Sequence, residues 1–320
     1  MAGKADSLKY GIGRSSLSGP KSKQARIRAG AHRFVTALRE AGFGVSKWEN
    51  VNGKHFQASA DKMKSEGCGF GRVGEVFACA RHVCRAYGNS NVTDSNAAFG
   101  VRRESICNQT SKAADPDQIT KVIYHLEHED TYEHAPRAAA QIRLQYELGL
   151  RREEAAKVDL VHDWDREKHS LLVQYGSKGG RPRLLTGLSA VQEAALEMAL
   201  PYVTESDRPG IFNLMPPGYG DEWQSRLSYA ARKNGLTRKA CGFTLHGCRH
   251  ERFRQVYRDT AGFEPPNQFA SIKGYQEAAH KVAGNDWPAK DAVARDKVEV
   301  LAGHSAGRRD VSSAYLGRSF

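Results

Sequence analysis

Residues 244–257, TLHGCRHERFRQVY, gather two histidines and three arginines within fourteen positions. Phe253, Val256 and Tyr257 have helical spacing, so one face of this helix is predicted to pack into a core. His246 and Arg249 lie three positions apart and share another face at the start of the helix. The pattern is compatible with a solvated helix that faces a polyanion, or with a pocket built to bind an anion.

Other segments narrow the chemistry. The stretch HLEHEDTYEH (125–134) is the nearest candidate for a metal site, but dense local charge of this kind is typical of a solvated helix end. The turn GSKGGRP (176–182) lacks the pattern of a phosphate-cradling nucleotide loop and precedes a strand. The six cysteines have no zinc-type spacing. We therefore expect no metal and no cofactor. Metal-free attack on a phosphodiester remains, which needs a nucleophile, paired arginines and a proton donor.

Several dispersed segments resemble the motifs of the tyrosine recombinase (phage integrase) family, and its mobile-element branch in particular. The family's boxes occur in the expected order over about 170 residues. They are the arginine box in ELGLRREEAAKV with Arg151 and Glu154, the hairpin lysine Lys178 in YGSKGGRPRLLTGL, the His-x-x-Arg box with His246 and Arg249, and the closing box in LAGHSAGRRDVSSAYLG with His304 and Tyr315.

The resemblance implies a role for each of these residues. Arg151 and Arg249 would clamp the scissile phosphate, and His246 and His304 would donate hydrogen bonds to it. Lys178 would protonate the departing 5′ oxygen. Tyr315 would attack and hold the DNA as a 3′-phosphotyrosyl ester, which keeps the energy of the broken bond for rejoining without ATP. Glu154 would support Arg151, Cys248 would pack, and His250 is set aside by the register of the family motif.

The distribution of charge predicts where DNA binds. The chain carries a net charge of +12, and residues 1–114 alone hold 19 Lys and Arg against 8 Asp and Glu, a net of +11. Such asymmetry is typical of a nucleic-acid partner. We predict a flexible basic arm over 1–23, a helical core DNA-binding (SAM-like) domain over 24–114 and a tyrosine recombinase catalytic domain over 115–320.

The periodicity predicts a mainly α-helical fold with a small β-hairpin. Helical patterns cover about 24–42, 53–66 and 71–87 in the first domain, and strand-like LLVQY and RLLTG flank the turn at 176–182. The catalytic domain is thus expected to be mixed α/β. The stretch at about 260–293 lengthens the interval between Arg249 and His304 and is interpreted as an insertion. Its four aromatic residues are equally compatible with contacts to another subunit and with the core of their own domain: Phe263, Phe269, Tyr275 and Trp287.

The leading interpretation is a site-specific recombinase or integrase that acts on double-stranded DNA sites. The resemblance implies a homo-tetramer on two DNA sites, with an accessory DNA-bending or directionality protein as a further candidate partner. The alternatives are a type IB topoisomerase-like enzyme or telomere resolvase with the same residues, and a DNA-binding regulator that has lost catalysis. The N-terminus lacks a secretory apolar region and no apolar run could span a membrane, so we expect a cytoplasmic, nucleoid-associated protein without a membrane partner.

Overall fold

The computed structural model describes residues 6–102, 111–177, 180–220 and 222–318. Its contacts divide the chain into two compact units, Met1–Ser105 and Ile106–Phe320. This division precedes the predicted domain limit at residue 114. Ala114 already belongs to the second unit, where its backbone N–H donates to the Gly247 carbonyl at 2.9 Å.

The first unit consists of helices around an aromatic core. Its α-helices are α1 (Ser7–Arg14), α2 (Lys21–Glu40), α3 (Gly53–Ser65) and α4 (Phe70–Ala86). Phe34, Phe56 and Phe77 are fully buried, and the Phe56 ring lies 4.8 Å from Phe34 and 4.9 Å from Phe77. Gly30 allows α2 to approach α4, because a Cβ there would lie 2.6 Å from the Cys79 side chain. The predicted helices are therefore found within a few residues of their expected ends.

The N-terminal residues differ from the flexible arm predicted over 1–23. Residues 7–14 form α1, and Leu8 and Ile12 are fully buried in the core of the first unit. Asp6 caps α1 and receives two hydrogen bonds from Arg39, each 2.8 Å long. Burial of two large apolar side chains offsets the conformational entropy that this short helix loses when it becomes ordered. The correction applies to the described residues from Asp6 onwards.

The second unit is mixed, as predicted, with small antiparallel sheets among helices. Its helices are α5 (Pro116–His128), α6 (Ala135–Glu147), α7 (Arg152–Lys157), α8 (Ala190–Ala199), α9 (Glu222–Lys233), α10 (Arg238–Cys241), α11 (His246–Ala261), α12 (Ile272–Ala283), α13 (Trp287–Leu301) and α14 (Arg309–Leu316). The strands are β1 (Trp164–Asp165), β2 (Ser170–Val173), β3 (Arg183–Thr186), β4 (Thr204–Glu205) and β5 (Phe212–Asn213). The predicted hairpin is β2–β3, with Leu171 opposite Leu185.

Three clusters of buried apolar residues in the second unit position the elements that carry the motifs. Helix α6 is rich in alanine, which lets α5, α7, α8, α9 and α11 pack closely around it. Helix α11 packs on its other side against α13 and α14. The His-x-x-Arg helix thus links the arginine box before α7 to the tyrosine on α14.

The aromatic residues of 260–293 belong to the core of their own unit. Phe263 and Tyr275 are buried, and Phe269 and Trp287 are partly buried against the same cluster. The hypothesis that these four rings are exposed subunit contacts is therefore wrong. Burial in an apolar core of the same unit stabilises a large aromatic ring more than exposure at the surface does.

Candidate active site

Arg249 lies at the centre of the motif residues. Its side chain is 1% exposed and extends from the first turn of α11. Its Nε donates to Tyr315 Oη at 3.1 Å, its Nη2 donates to the Ala302 carbonyl at 3.0 Å, and its Nη1 donates to the Gly149 carbonyl. The planar fork is held from three directions, so the position of this cation is set before any ligand binds.

Arg151 approaches Arg249 from a different part of the chain. Gly149 has φ +67°, a left-handed conformation that turns the backbone just before α7 begins. The Arg151 guanidinium, 24% exposed, donates from Nη2 to the same Ala302 carbonyl at 2.8 Å. The shared carbonyl brings two guanidinium groups together with one of them partly open to solvent. This pairing suits the non-bridging oxygens of a phosphate.

Glu154 connects the arginines beneath this pair. Its buried carboxylate accepts hydrogen bonds from Arg151 Nη1 at 2.5 Å and from the backbone N–H of Arg151 at 2.7 Å. Arg183 adds a bidentate pair at 2.8 and 2.7 Å. Burial by itself would raise the pKa of Glu154, but the hydrogen bonds and charge of Arg183, together with the charge of Arg249, lower it to about 2. Glu154 is therefore an anionic hub that orients cations.

We expect Glu154→Gln to destabilise the folded protein at pH 7 by about 3 kcal/mol, because it leaves buried guanidinium groups without their counter-ion. The folded-state pKa, about 2, lies below the ordinary value of 4.5, so ionised Glu154 stabilises the fold above about pH 4.5. This contribution is lost as the pH falls from 4.5 towards 2. Urea unfolding at pH 7 and pH 4 measures both effects.

Glu153→Gln is the matched control, because the Glu153 side chain is 55% exposed and its ion pair with Lys157 lies at the surface. It should change the free energy of unfolding by well under about 1 kcal/mol. Equal free energies of unfolding for the two variants at pH 7 would contradict the role of Glu154 as a structural hub.

Arg183 is a site residue that the sequence analysis missed. It lies on β3, where its guanidinium is 8% exposed and binds both oxygens of Glu154. A signal was present, since Arg183 and the buried Leu185 are two positions apart and must face the same side of the strand. The motif around the hairpin assigns a role to Lys178 and none to Arg183. Lys178 itself lies outside the described residues.

Tyr315 completes the cluster within the same unit. Its hydroxyl accepts the hydrogen bond from Arg249, and its ring packs edge-on against Phe253 with centroids 4.7 Å apart. The Tyr315 side chain is only partly buried, and the Arg151 side chain is 24% exposed. A phenol in this position is a nucleophile placed next to cations that would bind the group it attacks.

The two motif histidines, His246 and His304, lie near the arginine pair or Tyr315. The His246 ring is exposed and lies 6.1 Å from the Tyr315 ring, and His304 is half-exposed in the turn after α13. Desolvation by the surrounding protein lowers the pKa of His246, and the positive charges of Arg249, Arg151 and Lys112 lower it further. Burial, then Arg151 and Arg308, lower the pKa of His304. Both rings are therefore neutral at pH 7, and each can donate one hydrogen bond.

His250 has a larger part in the site than its sequence position suggested. It is 5% exposed, and its ring centroid lies 4.7 Å from Tyr315 and 4.9 Å from His246. Burial, and then the neighbouring His246 and Lys112, lower its pKa to about 3. A buried, neutral imidazole therefore packs against the Tyr315 ring. Cys248, by contrast, is fully buried in a hydrophobic core, where it packs as expected.

Other types of site were also considered. Within the described ranges, no group of three or more His, Cys, Asp or Glu side chains is arranged to hold a metal ion. The acidic stretch at 125–134 makes surface contacts instead, with His125 bonded to Glu129 and Asp130 paired with Lys233 at 2.8 Å. Among the helices that the structure describes, none is both long and apolar enough to cross a membrane.

Comparisons with known proteins place this arrangement in context. Residues 100–210 match a family model described as Integrase, a region that includes Arg151, Glu154 and Arg183. No curated protein sequence matches the chain.

Solved structures share the fold at low sequence identity. The Tn1549 transposon integrase in complex with transposon right end DNA is 14% identical, with 98% of this chain and 94% of that chain covered and a TM-score of 0.55. A lambda integrase dimer bound to a core site is 14% identical, with 90% and 93% covered and a TM-score of 0.53. A lambda integrase tetramer bound to a Holliday junction is 15% identical, with 97% and 76% covered and a TM-score of 0.55. The mainly α fold with small antiparallel sheets is confirmed.

Proposed function

We propose that this chain is a site-specific DNA recombinase of the tyrosine recombinase (integrase) family and that it acts for a mobile element. The observation that carries the proposal is the hydrogen bond from Arg249 Nε to Tyr315 Oη, 3.1 Å long, beside a second guanidinium from Arg151. A nucleophile and an anion clamp converge in one unit without a metal ligand set among the described residues. The family match and the shared fold give the reaction class, the breaking and rejoining of DNA strands.

In the proposed reaction, the Tyr315 phenol releases its proton to water, and its Oη attacks the scissile phosphorus and forms a 3′-phosphotyrosyl ester as the bond to the 5′ oxygen breaks. Arg151 and Arg249 neutralise the non-bridging oxygens, and the neutral rings of His246 and His304 donate hydrogen bonds to them. Lys178 supplies the proton to the departing 5′ oxygen. Attack by a 5′ hydroxyl on the ester reverses the step and rejoins a strand, so neither ATP nor a metal is needed.

The assembly follows from the proposed reaction. Exchange of strands requires two double-stranded DNA sites, and we propose a homo-tetramer that holds them, as in the lambda integrase tetramer on a Holliday junction. The first 114 residues, with their net charge of +11, form the proposed helical DNA-binding domain. The proposed catalytic domain follows it. An accessory DNA-bending or directionality protein would then select the direction of the reaction.

We expect covalent cleavage to proceed in excess EDTA and without nucleotide, because guanidinium groups take the place that a metal ion would occupy. The test is the formation of a covalent protein–DNA adduct on a DNA substrate that carries the element's recombination site, with and without EDTA. The same protein with added Mg²⁺ is the control. Cleavage that depends on Mg²⁺ would instead support a metal nuclease.

Supercoil relaxation on plasmids without a recombination site separates this proposal from a topoisomerase-like enzyme. A recombinase requires its site and a second DNA partner, whereas a nicking-closing enzyme relaxes any supercoiled plasmid. Efficient relaxation without the site would favour the topoisomerase-like alternative. A regulator without catalysis would form no adduct under either condition.

A further inference from the structure

The long interval between α11 and α14 holds a buried polar network. Asp291 on α13 accepts hydrogen bonds from Tyr257 Oη at 2.6 Å, from Tyr275 Oη at 2.9 Å and from Arg295 Nε at 2.9–3.0 Å. The two tyrosines, Asp291 and Arg295 are all nearly inaccessible to solvent. Several hydrogen bonds to one buried carboxylate favour a single arrangement of the elements that donate them, although Arg295 Nη2 has no partner among the described residues. This network therefore locks α11, α12 and α13 together.

The network extends to the end of the tyrosine helix. Arg295 Nη1 donates to the Gly317 carbonyl at 3.0 Å, two residues after Tyr315. The start of α14 is held by α13 as well, because buried Glu299 accepts from Ser312 Oγ at 2.6 Å and from Arg309 Nη1 at 2.9 Å. Both ends of this short helix are thus bonded to the segment that precedes it.

Asn267 connects the segment before α14 to the backbone of Tyr315 itself. It lies in the turn before α12, and its Nδ2 donates to the Tyr315 carbonyl at 2.8 Å. The turn presses against Gly317, since a Cβ on Gly317 would lie 3.0 Å from the Asn267 backbone nitrogen. Gly317 has φ +82°, a conformation that other residues rarely adopt. A close approach and a hydrogen bond therefore hold the end of α14 against the Asn267 turn.

We propose that residues 263–299 form a cradle that positions the Tyr315 hydroxyl in the active site of its own subunit, with Asn267 and Arg295 as positioning residues. The inference rests on the proposed function, because it assigns the segment a task in the tyrosine's attack. An eight-residue helix is too short to hold its place by helical propensity alone, so external contacts must fix it. Asn267 lies in the stretch that lengthens the chain between Arg249 and His304, and Arg295 follows that stretch on α13.

The test compares variants that disturb the cradle without touching the arginines or the tyrosine ring. Asn267→Ala and Asn267→Asp both remove the donor, and the second keeps the shape of the side chain. Gly317→Ala adds a methyl group against the Asn267 turn. Asn285→Ala is the matched control, because Asn285 is an exposed residue of the same segment that bonds to His280 instead.

Three quantities are measured for each variant: melting temperature, affinity for the DNA site, and the single-turnover rate of adduct formation at saturating protein. We expect each cradle variant to form the adduct about tenfold more slowly, with affinity close to that of the unaltered protein. The melting temperature should stay close to that of the unaltered protein for both Asn267 variants. Gly317→Ala should lower it, because alanine is strained at φ +82°, so its rate is corrected for the folded fraction. Asn285→Ala should match the unaltered protein in all three. Rates within about twofold for all three cradle variants would overturn the proposal.

Fluorine NMR of protein labelled with 3-fluorotyrosine gives a readout that a general loss of structure would not produce. The resonance that is missing from Tyr315→Phe identifies Tyr315. In Asn267→Ala this resonance should shift while those of the other tyrosines stay in place. Slower cleavage with an unmoved Tyr315 resonance would assign the loss to some other effect and overturn the cradle. If the unaltered protein forms no adduct, the proposed function fails, and the resonance shift still tests the positioning of Tyr315.

Discussion

Tyr315→Phe is expected to bind the DNA site with nearly unchanged affinity and to form no covalent protein–DNA adduct. The substitution removes one oxygen, which accepts a single hydrogen bond from Arg249 Nε at 3.1 Å. The ring and its contact with Phe253 remain, so the fold of α14 should persist. Affinity comes mainly from basic contacts with phosphates, which this change leaves in place. Adduct formation is measured after denaturation, and affinity by titration of labelled DNA.

The control is Tyr229→Phe, because Tyr229 is 61% exposed on α9 and none of its described contacts reaches the arginine pair. This variant should retain full activity. An adduct that survives in Tyr315→Phe would show that another residue is the nucleophile, and the proposed function would then have to be revised around that residue.

Arg249→Lys is expected to reduce the rate of adduct formation by at least about a hundredfold, even though the positive charge is kept. Removal of one donor that stabilises a transition state costs about 10²–10³ in rate. The Arg249 fork binds Tyr315 Oη and the carbonyls of Gly149 and Ala302 in three directions. One ammonium on a flexible stem cannot meet all three, so buried carbonyl groups lose their donors and the tyrosine loses its partner.

Arg258→Lys provides the comparison on the same helix. Arg258 is 41% exposed and pairs with Glu264 at 3.1 Å, away from Tyr315. Its replacement should leave the rate within about twofold, since exposed ion pairs contribute little. The rates are measured at saturating protein and corrected for the folded fraction. An Arg249→Lys rate within a few-fold of the unaltered protein would argue against bidentate binding of the phosphate.

Some features of the protein could be read without coordinates. The helical periodicity predicted α2, α3 and α4 within a few residues, and the two strand-like runs around a glycine-rich turn predicted β2 and β3. These features depend on neighbours a few positions apart, so local propensity and the pattern of apolar residues are sufficient. The types and order of the motif residues were also legible, which is why the reaction class could be named.

The position of each motif residue in space could not be read in this way. Arg151 and Arg249 meet at the carbonyl of Ala302, and Arg183 reaches Glu154 from a strand 29 positions away. Such contacts are set by how whole helices and strands pack, and a single sequence does not state that packing. No motif in the sequence therefore marked Arg183 as a partner of Glu154.

The N-terminal residues and the segment at 260–293 show the same limit. Leu8 and Ile12 lie in a polar, basic stretch whose composition predicted a flexible arm, and the four aromatic residues between 263 and 287 were compatible with a subunit contact or with a core. Both sets of residues are buried or partly buried against a surface of their own unit. Composition does not say whether that surface belongs to the same chain or to another molecule. The sequence by itself determined which residues were available for chemistry and which had to be covered. Only the tertiary structure decided what covers them, because that choice depends on shape complementarity between elements far apart in the chain.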